Sequence, residues 1–386
     1  MAAIWLADKR VGRRPAVGAE GHLCAATGHS VTVIVALFFP DSDDSAFAVT
    51  GKAFQRNPMR VLYVVPGQRL YESMRFAYDE IARVEAAGAV VRVVNFPTGF
   101  NPVAGLRSGL RLRREAKVFR PDLVHAHFGS LTALATALFS PVPVVVTFRG
   151  SDLNPAPSDG WLKSSVRRFV SQLSTLRARR IICVSQQLHD RLWWAKGKAS
   201  VIPSGVDLTR FRPVPAGDAR ESLGWDATQP VVLFNAGRAP GGKRLDLAEE
   251  AVNIARKELP GIRLEVMRGN VPHERVPLLM SGSNCLLVTS DYEGSPDTVK
   301  EALACNLPVV SVRAGDVSER LEGVSHSYVV ERDARAIAAA LVKVMQAGER
   351  SNGRSHIAAL DADEVAAKIV AVYRAVCAGN ASGSET

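Results

Sequence analysis

Little in this chain of 386 residues points to staples, metals or membrane spans. It has five cysteines, Cys24, Cys183, Cys285, Cys305 and Cys377, odd in number and far apart. None forms a CxxC pair or a Cys/His zinc spacing, which excludes a disulfide framework and a structural zinc and points to a reducing compartment. Long apolar runs are missing too. Val31–Phe39 is too short to span a bilayer, and Pro141 and Pro143 split the apolar stretch 131–146. Aromatic residues make up only 6% of the chain. No GxxxxGK[ST] phosphate loop occurs. What remains is an ordinary globular composition, 47% hydrophobic and 22% charged, long enough for two domains.

The net charge of +10 is unevenly placed. Residues 59–220 carry +13 and residues 221–376 carry −3. A strongly basic half beside a near-neutral one predicts an anionic partner for the first.

Residues 1–58 lack a regular pattern and read as an N-terminal extension outside the fold, an over-long gene start or, as an alternative, a transit peptide. From Met59 onward, apolar runs of four to seven residues alternate with longer helical patterns. Strands are predicted at 60–65, 89–94, 122–126, 142–148, 180–184 and 200–202, with a helix over 71–87 stopped by Gly88. Residues 213–228, rich in Pro and Gly, read as a linker. The alternation then restarts, with strands at 231–235, 263–267, 285–289 and 309–312. This pattern predicts an α/β chain of two doubly wound Rossmann-like domains, 59–212 and 229–362, facing across a cleft. Ligands bind such sheets at the carboxyl ends of the strands. The tail 379–386 is small and polar and reads as disordered.

The segment Glu293-Gly-Ser-Pro-Asp-Thr-Val-Lys-Glu301 carries the most chemistry. Ser295 suits an N-cap and Pro296 a first helical residue. A helix starting there at a strand's carboxyl end offers free N–H groups to an anion, and Gly294 admits a close ligand. Glu293 and Glu301 are placed to accept hydrogen bonds from hydroxyls flanking the anion. A second strand runs into Asn235-Ala-Gly237-Arg238-Ala-Pro-Gly-Gly-Lys243, where Arg238 and Lys243 suit a pyrophosphate clamp. The bland alternative is a common Gly-Ser-Pro turn with Glu301 a solvated helix residue.

Together, Glu293-x7-Glu301, Gly237-Arg238 with Lys243, Gly315-Asp316-Val317-x-Glu319 and Val201–Asp207 resemble the signature of retaining GT-B-fold glycosyltransferases of family GT4, over about 59–376. The resemblance implies that Glu301 binds the nucleotide ribose, Glu293 contacts the donor sugar, and Arg238 and Lys243 bind the diphosphate. It also implies that the last helix, 363–378, crosses back onto the first domain. In the first domain it assigns His127, the second histidine of His125-Ala-His127, to the donor sugar. Two departures stand out. Relatives often carry Thr-x-His-Gly where this chain has Thr147-Phe-Arg149-Gly. Arg149 and the nearby Asp152 are therefore left as candidate contacts to an acceptor or a phosphate, or to each other. Only Gly67 represents the Gly-Gly pair of the entry loop near the donor phosphate.

The implied reaction moves a sugar from a nucleotide-diphosphate sugar to a glycan or lipid-linked acceptor, with no cofactor and no metal. A cytoplasmic protein of bacterial cell-envelope synthesis, free or peripheral on the membrane's inner face, is the setting the family suggests. Residues 106–120 form a basic amphipathic helix, either a solvated face or a surface for anionic lipid, and nucleic acid is not expected. The pair Trp193-Trp194 is read as closing a helix from Gln186. Rival readings are a nucleotide-sugar epimerase, a phosphorylase-like enzyme and a non-catalytic sugar-nucleotide scaffold.

Overall fold

The chain is described from a computed structural model. The structure describes residues 58–67, 74–99, 101–154, 160–237 and 242–381, plus a two-strand pair near the start. It divides into two compact units, 1–57 and 58–386. In the first, β1 (Ile4–Trp5) pairs antiparallel with β2 (Ile34–Val35).

The second unit holds both sheets. Its first half runs β3 (Arg60–Pro66), α1 (Arg75–Ala86), β4 (Val90–Phe96), α2 (Pro102–Phe119), β5 (Leu123–His127), α3 (Ser130–Phe139), β6 (Val144–Phe148), α4 (Trp161–Arg177), β7 (Arg180–Cys183), α5 (Gln186–Asp190) and β8 (Ala199–Val201). The strands form one parallel sheet in the order β4-β3-β5-β6-β7-β8. Near-continuous Val, Leu and Ile runs suit strands covered on both faces, and β3, β5 and β6 are buried almost throughout.

The second half runs α6 (Ala216–Leu223), β9 (Val231–Asn235), α7 (Leu245–Ala255), β10 (Arg263–Met267), α8 (Val276–Gly282), β11 (Cys285–Val288), α9 (Asp297–Ala304), β12 (Val309–Val312), α10 (Val317–Leu321), β13 (Tyr328–Val330), α11 (Ala334–Ala347), α12 (Gly353–His356) and α13 (Ala362–Ala381). Its sheet is also parallel, in the order β10-β9-β11-β12-β13. Two doubly wound α/β domains are thus present, as expected.

Several boundaries differ from expectation. The 213–228 stretch contains α6, whose buried Arg220 donates to the carbonyls of Gly282, Asp226 and Ala227 and to Asn284 Oδ1. One guanidinium fastens the connection to the second domain, so the stretch is not a loose tether. β13 escaped prediction because it has only three half-buried residues. The helix from Gln186 ends at Asp190, short of the tryptophans. In the tail, 379–381 belong to α13, and 382–386 lie outside the described residues. The extension 1–58 falls almost wholly outside them as well.

The last helix, α13, packs on α1 and β5 of the first domain. Val365, Ile369, Val370, Tyr373 and Val376 are buried in one cluster with Val61, Tyr63, Ile81 and Val84. Cys183, Cys285, Cys305 and Cys377 are unpaired thiols. Burial pushes those of Cys183, Cys285 and Cys305 up to about 12, so they act as small apolar side chains.

Candidate active site

The carboxyl ends of both sheets meet at one cavity of about 910 Å³, a size that suits a small-molecule ligand. Its second-domain wall contains Gly237, Lys243, Glu293, Gly294, Ser295, Pro296 and Glu301. Local sequence explains how they gather there. β9 ends at Asn235, whose Oδ1 accepts from Gly237 N at 3.0 Å and whose Nδ2 donates to Thr298 Oγ1 at 2.8 Å. That pair ties the Gly-rich loop to the first turn of α9. Arg238 lies outside the described residues. Thr289 Oγ1, just past β11, bonds the Lys243 and Arg244 carbonyls at 2.8 and 2.9 Å. Lys243 is thereby held beside the next loop, with Nζ 2.5 Å from Glu293 Oε1.

The helix start differs by one residue from expectation. Pro296 occupies the N-cap position and no side chain caps α9. Ser295 Oγ turns away and donates to the buried Asp316 Oδ2 at 2.8 Å, which also accepts from Arg320 Nε at 2.9 Å. The effect is an uncapped helix end facing the cavity, with its N–H groups and positive dipole end presented to an anion. Glu301 sits one turn further in, its Oε1 3.3 Å from His273 Nε2, while Arg210 contacts His273 Nδ1 at 2.8 Å.

Gly294 does something the sequence did not suggest. A Cβ there would collide with the Arg149 carbonyl oxygen across the cleft. The glycine therefore lets the two domains approach, besides lining the cavity. Asn154 Nδ2 donates to the Glu293 carbonyl at 2.8 Å, adding a second bridge. Lys300, missed from sequence, is a third: its buried Nζ donates to the Ser204 carbonyl at 2.9 Å and lies 2.8 Å from Asp297 Oδ1.

The first-domain wall departs most from expectation. His127 is fully buried and does not line the cavity. Two groups stand before it. Arg149 contacts Glu80 Oε2 at 2.6 Å, Ser204 Oγ at 2.6 Å and His127 Nδ1 at 3.1 Å, with its guanidinium over the Phe76 ring. Glu80, from α1, lies 3.2 Å from His127 Nε2. Both Glu80 and Arg149 line the cavity. The arginine that replaces the family's histidine thus brings a carboxylate with it. Burial alone would raise the Glu80 pKa, but His127 and Arg149 outweigh it and hold the carboxyl well below its usual range. Burial lowers the His127 pKa against the pull of Glu80, so the ring is neutral at pH 7.

Behind this wall, His125 shares hydrogen bonds with Tyr373 (2.6 Å) and Thr147 (2.7 Å), and Tyr373 with Tyr63 (2.5 Å). Burial, and then the neighbouring His127, push His125 well below its ordinary pKa. Glu80, His125 and His127 bring ligand atoms within 4.8 Å of one another, a spacing that invites a metal. The donor set does not fit one. Both His125 nitrogens are engaged, and the Arg149 cation already occupies Glu80.

Asp152 is a clamp within the loops. Its Oδ2 accepts from Gly129 N and Arg149 N, and its Oδ1 from Gly150 N and Leu153 N, at 2.8 to 3.1 Å. This corrects its candidacy as a contact to acceptor or phosphate, since the carboxylate is buried and four backbone donors saturate it. The same clamp holds the turn after β5, where Phe128 (φ 67°) and Ser130 (φ 61°) take left-handed conformations. Gly67 (φ 89°) donates to the Phe96 carbonyl at 2.8 Å and does not line the cavity.

Residues 22–210 match the family described as Glycosyltransferase Family 4, and residues 228–347 the one described as Glycosyl transferases group 1. TuaC of Bacillus subtilis is 28% identical over 244 residues, covering 58% of this chain and 61% of its own length. The chain thus spans less than two thirds of that relative. Sucrose-phosphate synthase from Thermosynechococcus elongatus shares the fold with a TM-score of 0.68 at 18% identity, covering 83% of this chain and all of that one. Anabaena HepE, solved with UDP, gives a TM-score of 0.65 at 17% identity over 82% of this chain and all of its own.

Proposed function

The chain belongs to glycosyltransferase family 4, and from that premise we propose that it moves a sugar from a nucleotide-diphosphate sugar to a glycan or lipid-linked acceptor, with retention of configuration and without a metal. The observation that carries this reading is the uncapped amino end of α9 in the interdomain cavity, flanked by Lys243, Glu293 and Glu301.

Each group has a part. The diphosphate takes the N–H groups of the first turn of α9, and Lys243 exchanges Glu293 for a phosphate oxygen. Arg238 adds a second cation. These charges stabilise the departing diphosphate, as preorganised donors aimed at developing charge do. Glu301, steadied by His273, accepts from the ribose hydroxyls. Glu293, released by Lys243, accepts from the sugar. Glu80, the buried carboxylate of the opposite wall, is already held by Arg149 and His127, which favours same-face substitution over a covalent intermediate on that residue.

HepE's complex with UDP makes UDP-sugars the first donors to test. TuaC carries the name of a teichuronic acid biosynthesis glycosyltransferase, which supports a cell-envelope acceptor. No helix among the described residues is long and apolar enough to cross a membrane. The Arg-rich helix α2, with Val103, Leu106, Leu110 and Val118 exposed, suits contact with an anionic surface.

A panel of nucleotide-sugars screened by thermal shift identifies the donor, since a ligand selective for the folded state raises its apparent stability. Product NMR then reads the anomer. An inverted product overturns retention, and donor turnover with no acceptor present favours an epimerase.

A further inference from the structure

Helix α4 is turned inside out. Its buried face is mostly polar: Ser164, Ser171, Gln172, Ser174 and Thr175, with Val170 the one apolar residue among them. Hydrogen bonds account for that burial. Ser171 Oγ accepts from Ser130 N (2.7 Å). Gln172 donates to the Arg191 carbonyl (2.9 Å) and accepts from Trp193 N (3.2 Å). Thr175 Oγ1 accepts from Trp194 Nε1 (2.7 Å). The outer face holds Leu162, Val166, Phe169, Leu173 and Leu176, one unbroken row at spacings of four and three. A helix normally turns such a row toward the core. Here Leu162 is 66% exposed, Leu176 57% and Trp161, at the helix start, 82%, while Val166 and Phe169 are exposed too. Folding does not explain this row.

Its neighbours say what covers it. α4 itself carries Lys163, Arg167, Arg168 and Arg177 and no acidic residue. α3 packs between α2 and α4, so the three helices form one layer. α2 adds five more cations against the single Glu115. Two copies meeting through α4 would set these cations against one another, whereas an anionic bilayer matches both the charge and the apolar row.

We propose that α4 is a membrane-docking helix, inserting Trp161, Leu162, Val166, Phe169 and Leu176 among the headgroups of an anionic lipid surface. Apolar side chains enter the interface while the net positive charge of the helix layer attracts acidic headgroups. The inference stands on the surface of α4 and is independent of the transferase reading. It also makes the docking face broader than α2.

The test is sedimentation of the full chain with vesicles of phosphatidylcholine alone or mixed in equal parts with phosphatidylglycerol. Binding is expected to the mixed vesicles only, and to fall with added salt. Leu162→Ser with Leu176→Ser, at positions more than half exposed, is expected to weaken it about tenfold or more while melting temperature stays unchanged. Failure of the wild-type chain to bind mixed vesicles would overturn the proposal. So would equal binding by the variant, which would leave α2 as the docking element. A dimer in size-exclusion chromatography that the double variant abolishes would assign the row to a second copy instead and overturn it equally.

Discussion

The two walls of the cleft are built on opposite principles. The second-domain wall presents groups: an uncapped helix end, with Lys243, Glu293 and Glu301 at the cavity. The first-domain wall pairs most of its charged groups with one another. Glu80, His127, Arg149 and Ser204 bond one another, backed by His125, Thr147, Tyr373 and Tyr63. The first kind of wall can give its groups to a ligand. The second holds shape, because a buried charge is tolerated only with its partner in place.

That contrast sets the expected size of each perturbation. Lys243→Ala or Glu301→Ala should lower kcat/KM for the donor by about 100-fold or more while leaving unfolding by denaturant nearly unchanged. Near-wild-type turnover in either variant would mean that the second wall does not hold the donor. Arg149→Met should act mainly on stability, costing about 3 kcal/mol, since it strands the Glu80 charge. Adding Glu80→Gln should restore most of it. If the single and double variants unfold alike, the first wall is not held by that ion pair.

A smaller effect concerns pH. His125 and His127 have pKa values lowered in the folded state, so the unfolded chain binds more protons in acid. Their contribution is complete above the unfolded value near 6.5 and is lost as pH falls below it, at about 1.4 kcal/mol per pH unit for each ring. Glu80, also lowered, adds loss in the same direction at more acidic pH. Chemical denaturation from pH 7.5 to 5 should show this fall, and His125→Gln should reduce its slope. Stability that rises on acidification would refute the buried neutral rings. Smallest of all, Tyr373→Phe removes the hydroxyl shared by His125 and Tyr63 and should cost about 1 kcal/mol in the same assay, with little change in donor affinity.

The walls also differ in how far they could be read from sequence. Strands β9, β10 and β12 lie where their apolar runs place them, and the start of α9 is off by one residue. Their chemistry is local, since Glu293, Ser295, Pro296 and Glu301 share one strand–loop–helix unit. The first wall is assembled across the chain. Glu80 looks like one more solvated acid after Asp79, and its partner Arg149 is 69 residues away. His127 ends β5, but strand alternation does not reveal that Arg149 lies in front of it. Lys300 is hidden in the same way, with its acceptor at Ser204 96 residues distant. In α4, hydrogen bonds to the 191–194 segment reverse the face that periodicity alone would bury.

On this reading the amino end of α9 holds a nucleotide diphosphate between Lys243 and Glu301. A crystal structure with the donor found by the thermal-shift panel tests it most directly. The β-phosphate is expected on the backbone N–H groups that open α9, Lys243 on a phosphate oxygen and Glu301 on the ribose. A nucleotide bound elsewhere in the cleft, with Lys243 still paired to Glu293, would contradict it.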